Sequence, residues 1–259
     1  MFVALLALGS AFVVGAIVGS FLNVCIYRIP EGKSIVTPAS SCPHCGYKIR
    51  WFQNVPIVSY FFLAGRCASC RERIAFRYPA IEALNGLLFV FVLYYFGFSL
   101  ATLVYWLFMA ALVVITFIDL DHQIIPDVIS LPGILVGFAC SFFVPWLTWL
   151  DSILGIVIGG GILLLIAWGY ELLAKREGMG GGDIKLLAML GAFLGWKAIL
   201  PIVFIASLVG SLIGVPVMLL QKSGKKMAIP FGPFLASAAI VYLFWGNSLV
   251  HWYLNLVSG

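Results

Sequence analysis

Apolar residues in this chain come as blocks and not as stripes. A half-buried strand would alternate, and a surface helix would repeat its apolar positions every three to four residues. Here runs of about twenty residues carry almost no charge, the length of helix needed to cross about 30 Å of hydrocarbon. Eight such runs stand out, at roughly 2–27, 81–98, 100–118, 128–144, 149–171, 184–200, 201–221 and 233–256. The pattern predicts an all-α polytopic integral membrane protein with about eight transmembrane helices. Many runs contain Gly or Pro, which membrane spans tolerate better than soluble helices do. The first run has no basic leader and no clear small-residue cleavage site, so it reads as an uncleaved span and not a signal peptide.

Composition agrees with this. Hydrophobic residues make up 63% of the 259 positions and charged ones 10%, with a mean hydropathy of +1.11. Soluble domains are roughly 45–50% apolar and about 25% charged. Charge then orients the spans. With the N-terminus outside, one side receives the loops 28–80, 119–127, 172–183 and 222–232. That side, with Lys185 just inside the next span, holds 14 of the 15 Lys and Arg residues, and only Lys197 falls opposite. Basic residues in short loops mark the cytoplasm. The net charge of +5 is therefore topology and attraction to anionic membrane lipid, and no nucleic acid is invoked. The chain divides into a first transmembrane helix (1–27), a cytosolic loop domain (28–80) and a transmembrane core (81–259).

The cytosolic loop carries the first candidate chemistry. Cys42 and Cys45 form one Cys-x2-Cys, and Cys67 and Cys70 form a second. Four thiolates in two knuckles suit tetrahedral zinc in a closed, structural site. A reducing cytoplasm disfavours structural disulfides, and so short a loop needs the folding energy of a metal. The residues between the pairs are expected to form a short hairpin. Redox-active thiols, or disulfides under inverted topology, are the competing readings. His44 reads as exposed, and Cys25 and Cys140 as buried apolar residues. Trp51, Phe61, Phe62 and the other aromatic residues of the loop are expected to pack the zinc unit and rest on the headgroups, or else to form a surface for a peptide or cofactor.

The second candidate chemistry is acidic. Asp119 ends the apolar run "LVYWLFMAALVVITFI", where an ionisable group is costly and marks function by default. Asp121 is further out. Asp127 is placed to cap the fourth span, after the turn set up by Pro126. Asp183 follows Gly180, Gly181 and Gly182 and opens the sixth span. It could be a cap at the positive end of a helix, but capping does not need three glycines. Glycines let another chain approach closely. Asp119 and Asp183 both belong to cytoplasmic span ends. Two carboxylates sharing a proton can activate a water and hydrolyse an amide. On the acids alone, proteolysis, ion or proton transport and plain capping all stay open. His122 beside Asp121 reads as an exposed loop residue.

Taken in order, "GSFLNVCIYRIP" (19–30), the two knuckles, "NVPIVSYFFLAGRCASC" (54–70), "RYPAIEAL" (77–84), "IDLDHQIIPD" (118–127) and "GMGGGDIKLLAMLGAFLGW" (178–196) resemble the bacterial type IV prepilin peptidases over nearly the whole chain. The resemblance implies an intramembrane aspartyl protease of the G-x-G-D type. Asp183 matches its second catalytic aspartate, with Gly180 and Gly182 as motif glycines. The first is Asp119, seven residues before Pro126. Also implied are cleavage of the short basic leader of type IV prepilins and type II secretion pseudopilins at the cytoplasmic face of the inner membrane, and N-methylation of the new N-terminal residue with S-adenosylmethionine as donor. The zinc loop is associated with the second activity, and Gly65 matches a glycine implicated in it. No Rossmann-like glycine motif is present, since "GIVIGGG" (155–161) lies within a span. Against this stand a transporter using the membrane-edge acids for ion or proton coupling, and a thiol–disulfide membrane protein.

Overall fold

A computed structural model of the chain describes residues 2–174, 180–220 and 229–258. The basic residues Lys175, Arg176, Lys222, Lys225 and Lys226, and also Glu177, Gly178 and Met179, lie outside the described residues. Among the described residues, eight helices have 14 or more residues: α1 (Phe2–Arg28), α3 (Arg77–Phe96), α4 (Leu100–His122), α5 (Asp127–Cys140), α6 (Trp149–Ala174), α7 (Gly181–Leu194), α8 (Ile199–Leu220) and α9 (Gly232–Ser258). The short α2 (Val58–Phe62) lies in the loop. No strand occurs among the described residues. Five helical stretches are long and apolar enough to cross a bilayer: Val3–Arg28, Arg77–Phe96, Leu100–His122, Trp149–Leu172 and Trp196–Val217. Helices α5 and α7 have 14 residues each, about 21 Å at 1.5 Å per residue. Leu5, Leu103, Leu165, Phe204 and Leu212 point outward and are exposed, as lipid-facing residues are and as a water-soluble surface seldom allows. The protein is a multi-pass membrane protein.

Three details differ from the sequence expectation. The apolar run 184–200 is not one helix: α7 stops at Leu194, Gly195 turns with φ 78°, and a 3-10 turn (Trp196–Ala198) leads into α8. Uniform hydrophobicity hid the break, because only glycine adopts that backbone cheaply. Asp127 does not cap α5. Pro126 occupies the cap with extended φ and ψ, and Asp127 sits in the first turn, where its two carboxylate oxygens accept hydrogen bonds from Lys185 Nζ at 2.7 and 2.8 Å. The knuckles are also not joined by a hairpin. Between them lie a 3-10 turn (Trp51–Gln53) and α2, and each knuckle closes on its own antiparallel bridge, Ser41 with Lys48 and Arg66 with Arg73.

The chain forms two compact units, residues 1–114 and 115–259, with the boundary inside α4. In the first, α1 and α3 pack through small and polar residues. Asn85 Nδ2 donates to the Gly15 carbonyl at 2.7 Å, Asn23 Nδ2 donates to the Tyr78 carbonyl at 3.2 Å, and Glu82 accepts the Ile57 N–H at 2.6 Å. This last bond ties the loop that follows α1 to helix α3. It falls at the N-cap of α2, where Ile57 has φ 62°.

In the second unit, every residue of α7 from Leu186 to Phe193 is buried. Without a hydrophobic drive between helices in lipid, close backbone approach does the work. The backbones of Gly155 on α6 and Gly191 on α7 approach so closely that neither has room for a β-carbon. Gly137 on α5 likewise faces Ala192 and Phe193. Ser152 Oγ donates to the Ala192 carbonyl at 2.8 Å, satisfying a carbonyl from outside the helix. Helix α7, which carries Asp183 in its first turn, is thus wedged between its neighbours.

Candidate functional site

The acids belong to the second unit. Helix α4 ends at His122, and Gln123, with φ 55°, reverses the chain. Its N–H bonds to the Asp119 carbonyl at 2.9 Å, so Asp119 occupies the last turn of α4 and is only 5% exposed. The short loop that follows buries Ile125 before Pro126 starts α5. Asp183 is in the first turn of α7, half-buried, with Gly180 as N-cap and no side-chain cap bond. Capping is therefore not its role in this structure. Asp119 and Asp183 lie within electrostatic reach of one another.

The neighbours explain why glycine recurs here. A β-carbon on Gly182 would sit 2.9 Å from Cβ of Ile125, and one on Gly180 would lie 4.0 Å from Oδ2 of Asp183. Gly182 thus lets α7 close onto the loop after Asp119, while Gly180 and Gly181 are exposed beside the acid. The sequence reading missed a third participant. Gly232 begins α9, its N–H donates to Oδ2 of Asp119 at 2.9 Å, and a β-carbon there would fall 2.6 Å from that oxygen. The one available signal was a glycine between Phe231 and Pro233 at the start of the last apolar run. Asp121 and His122 are exposed.

The cysteines belong to the first unit. All four Sγ atoms lie within 4.8 Å of one another, with Cys42–Cys70 at 3.8 Å and Cys45–Cys67 at 4.0 Å. A disulfide needs about 2.05 Å, whereas tetrahedral Zn–S bonds of about 2.3 Å set sulfurs about 3.8 Å apart. The donor set fits a closed zinc site. Backbone N–H groups of Cys70 and Ser69 hold Cys67 down at about 6 and that of Tyr47 lowers Cys45, while desolvation and the neighbouring sulfurs push Cys70 up to about 12. His44 is exposed. Cys25 is buried and Cys140 half-buried.

Gly65 turns the chain from α2 into the second knuckle with φ 65°, and a β-carbon there would lie 2.9 Å from the Tyr60 hydroxyl. Its place in the fold is support of the knuckle. Trp51, Phe61 and Phe62 are exposed and do not form a core for the zinc unit. Trp51 instead borders a cavity of about 470 Å3 with Ser20, Arg28, Ser40 and Asn54. Arg28 fixes one wall by donating to the Ser34 and Pro38 carbonyls at 3.0 and 2.7 Å.

Fold and site together define a multi-pass membrane protein with a carboxylate pair at helix ends and a four-thiol knuckle. Residues 13–96 match the bacterial peptidase A24 N-terminal domain, and residues 106–215 match the type IV leader peptidase family. Several proteins named prepilin leader peptidase/N-methyltransferase are similar over nearly their whole length. That of Pseudomonas putida is 36% identical, covering 92% of this chain and 91% of its own. That of Aeromonas hydrophila is 37% identical, covering 94% and 92%, and that of Pseudomonas aeruginosa is 37% identical with the same coverage. No solved structure matches. The chain belongs to the type IV leader peptidase family.

Proposed function

We propose that this enzyme cleaves the basic leader from type IV prepilins and type II secretion pseudopilins at the cytoplasmic face of the inner membrane, and N-methylates the new N-terminal residue. One observation carries the proteolytic reading: two helix-end acids, one of them buried, are gathered around Ile125, which lies against both Gly182 beside Asp183 and Gly232 bonded to Asp119, next to glycines whose edge is open. The pair activates one water. The water oxygen attacks the scissile carbonyl carbon as one carboxylate takes its proton, while the other carboxyl gives its proton to the carbonyl oxygen. Collapse of the tetrahedral species breaks the C–N bond, and a proton returns to the leaving amine. No covalent enzyme intermediate forms. Gly180 and Gly181 give an extended substrate backbone room to lie beside Asp183. A transporter reading is not favoured by the family.

The eight-span topology extends the five long apolar helices with α5, α7 and α9. The 14 of 15 basic residues on one side favour cytoplasmic placement of loop 28–80 and of both acids. Cys42, Cys45, Cys67 and Cys70 would hold zinc, whose role in so closed a site would be structural. S-adenosylmethionine, when bound, supplies an electrophilic methyl group. The mostly apolar cavity beside Trp51 is the candidate place for it: the Trp51 side chain would take the adenine, and Ser20, Ser40 and Asn54 would supply polar contacts.

Asparagine caps helices about as well as aspartate but does no acid–base chemistry. Asp119→Asn and Asp183→Asn are each expected to lower prepilin cleavage by purified enzyme at least about a hundredfold, while methyl transfer to pre-cleaved pilin persists. Cleavage at the normal rate by either variant would remove the aspartate assignment.

A further inference from the structure

Two carboxylates make a useful pair only if they are held differently. The structure holds Asp119 by an element outside the two motifs that carry the acids. Gly232 is the first residue of α9. The N–H groups of a helix's first turn have no acceptor in their own helix, and they form its positive end. One of them, the Gly232 N–H, is spent on Oδ2 of Asp119 at 2.9 Å, in a buried contact spanning 113 residues of sequence.

We infer that Gly232 is a positioning residue of the peptidase site, whose backbone N–H fixes Oδ2 of Asp119 and leaves Oδ1 to act as the base on the attacking water. This rests on the aspartate reading above and deepens it. An oxygen that accepts a charge-assisted N–H bond is not free to turn towards substrate, so the carboxylate keeps one orientation through the reaction. Only glycine serves at this position. A β-carbon there would fall 2.6 Å from Oδ2 and 3.2 Å from Cγ of Asp119, and 3.3 Å from Cδ1 of Ile125. Ile125 in turn packs against Gly182, one residue before Asp183. The starts of α7 and α9 and the end of α4 therefore meet around one side chain, and a displacement at Gly232 is felt directly at the carboxylate.

Gly232→Ala is the test, in the full-length enzyme in detergent. The added methyl displaces the Asp119 carboxylate. Cleavage kcat is expected to fall about a hundredfold, the scale of a mispositioned acid–base group. KM and the affinity for an uncleavable prepilin should stay within about threefold, and methyl transfer to pre-cleaved pilin should continue. The double variant Gly232→Ala/Ile125→Ala separates the two contacts. If the methyl acts through Asp119, removing the Ile125 side chain restores nothing. If it acts only through packing against Ile125, cleavage returns, and the inference is wrong. It is equally wrong if Gly232→Ala alone cleaves within a few-fold of the parent. Should the single variant lose substrate binding as well, the double variant decides: binding restored without cleavage supports the inference, and binding and cleavage restored together overturn it. Failure of the aspartate reading looks different: there the Asp→Asn variants themselves cleave.

Discussion

The thiol cluster and the carboxylate pair are built by opposite means. The four cysteines lie within 29 residues of one another, and each knuckle is closed by a bridge only a few residues long. Local chain geometry does most of the assembly, and a metal is suited to complete it. The acids are 64 residues apart, and neither is brought to the other by its own segment. Their surroundings are assembled by packing: α5 and α6 clamp α7, the start of α9 reaches back to Asp119 at the end of α4, and Gly182 and Gly232 both lie against Ile125. A site built locally should fail locally, when its ligands are removed. A site built by packing should fail when distant helices are disturbed.

The sharpest break concerns the metal. Structural zinc supplies about 10–16 kcal/mol in isolated finger peptides, so its loss should unfold the knuckles. Cys42→Ser/Cys67→Ser, or a strong chelator, is expected to abolish zinc content, S-adenosylmethionine binding and methyl transfer. Cleavage of prepilin should fall less than about threefold if the acids are held by the second unit alone, since side chains in independent sites act additively. Metal analysis and the two assays on one preparation decide this. Cleavage lost in parallel with methylation would mean that the two regions are not separable.

This contrast also explains what the sequence made legible. The Cys-x2-Cys spacing carried its chemistry on its face, because neighbouring residues determine the geometry. Asp119 and Asp183 were visible as costly charges at the ends of apolar runs, but spacing could not say whether they met or merely capped. The wedge of α7 between α5 and α6 answers the capping question by seating Asp183 inside the first turn. Gly232 was invisible because its contribution is a backbone N–H, which every residue but proline owns. The break at Gly195 was hidden for the complementary reason: hydropathy records burial in lipid and is blind to a single left-handed residue.

A smaller effect tests the packing side. Gly191→Ala puts a methyl group where the Gly155 backbone lies, and overpacking of this kind costs about 1–3 kcal/mol. The expected outcome is a lower temperature of thermal inactivation for cleavage, with zinc content unchanged. The reverse pattern, zinc lost and cleavage intact, would overturn the assignment of α7 to the peptidase site.

The smallest effect is expected closest to the acids. Lys185 lies two residues beyond Asp183 and bonds both oxygens of Asp127, which invites a catalytic role for its charge. Its exposure argues otherwise. The Lys185 and Asp127 side chains are 37% and 57% exposed, and pairs of that kind contribute about 0–1 kcal/mol because solvent screens them. The bond joins α7 to α5, but the buried contacts of Gly137 with Ala192 and Phe193 already do so more strongly. Lys185→Ala should therefore change cleavage less than about threefold and stability by less than about 1 kcal/mol, read from kcat/KM and from thermal inactivation side by side. A loss approaching that of Asp183→Asn, with stability unchanged, would move the boundary of the site outward to include the ammonium and make the carboxylate pair only part of it.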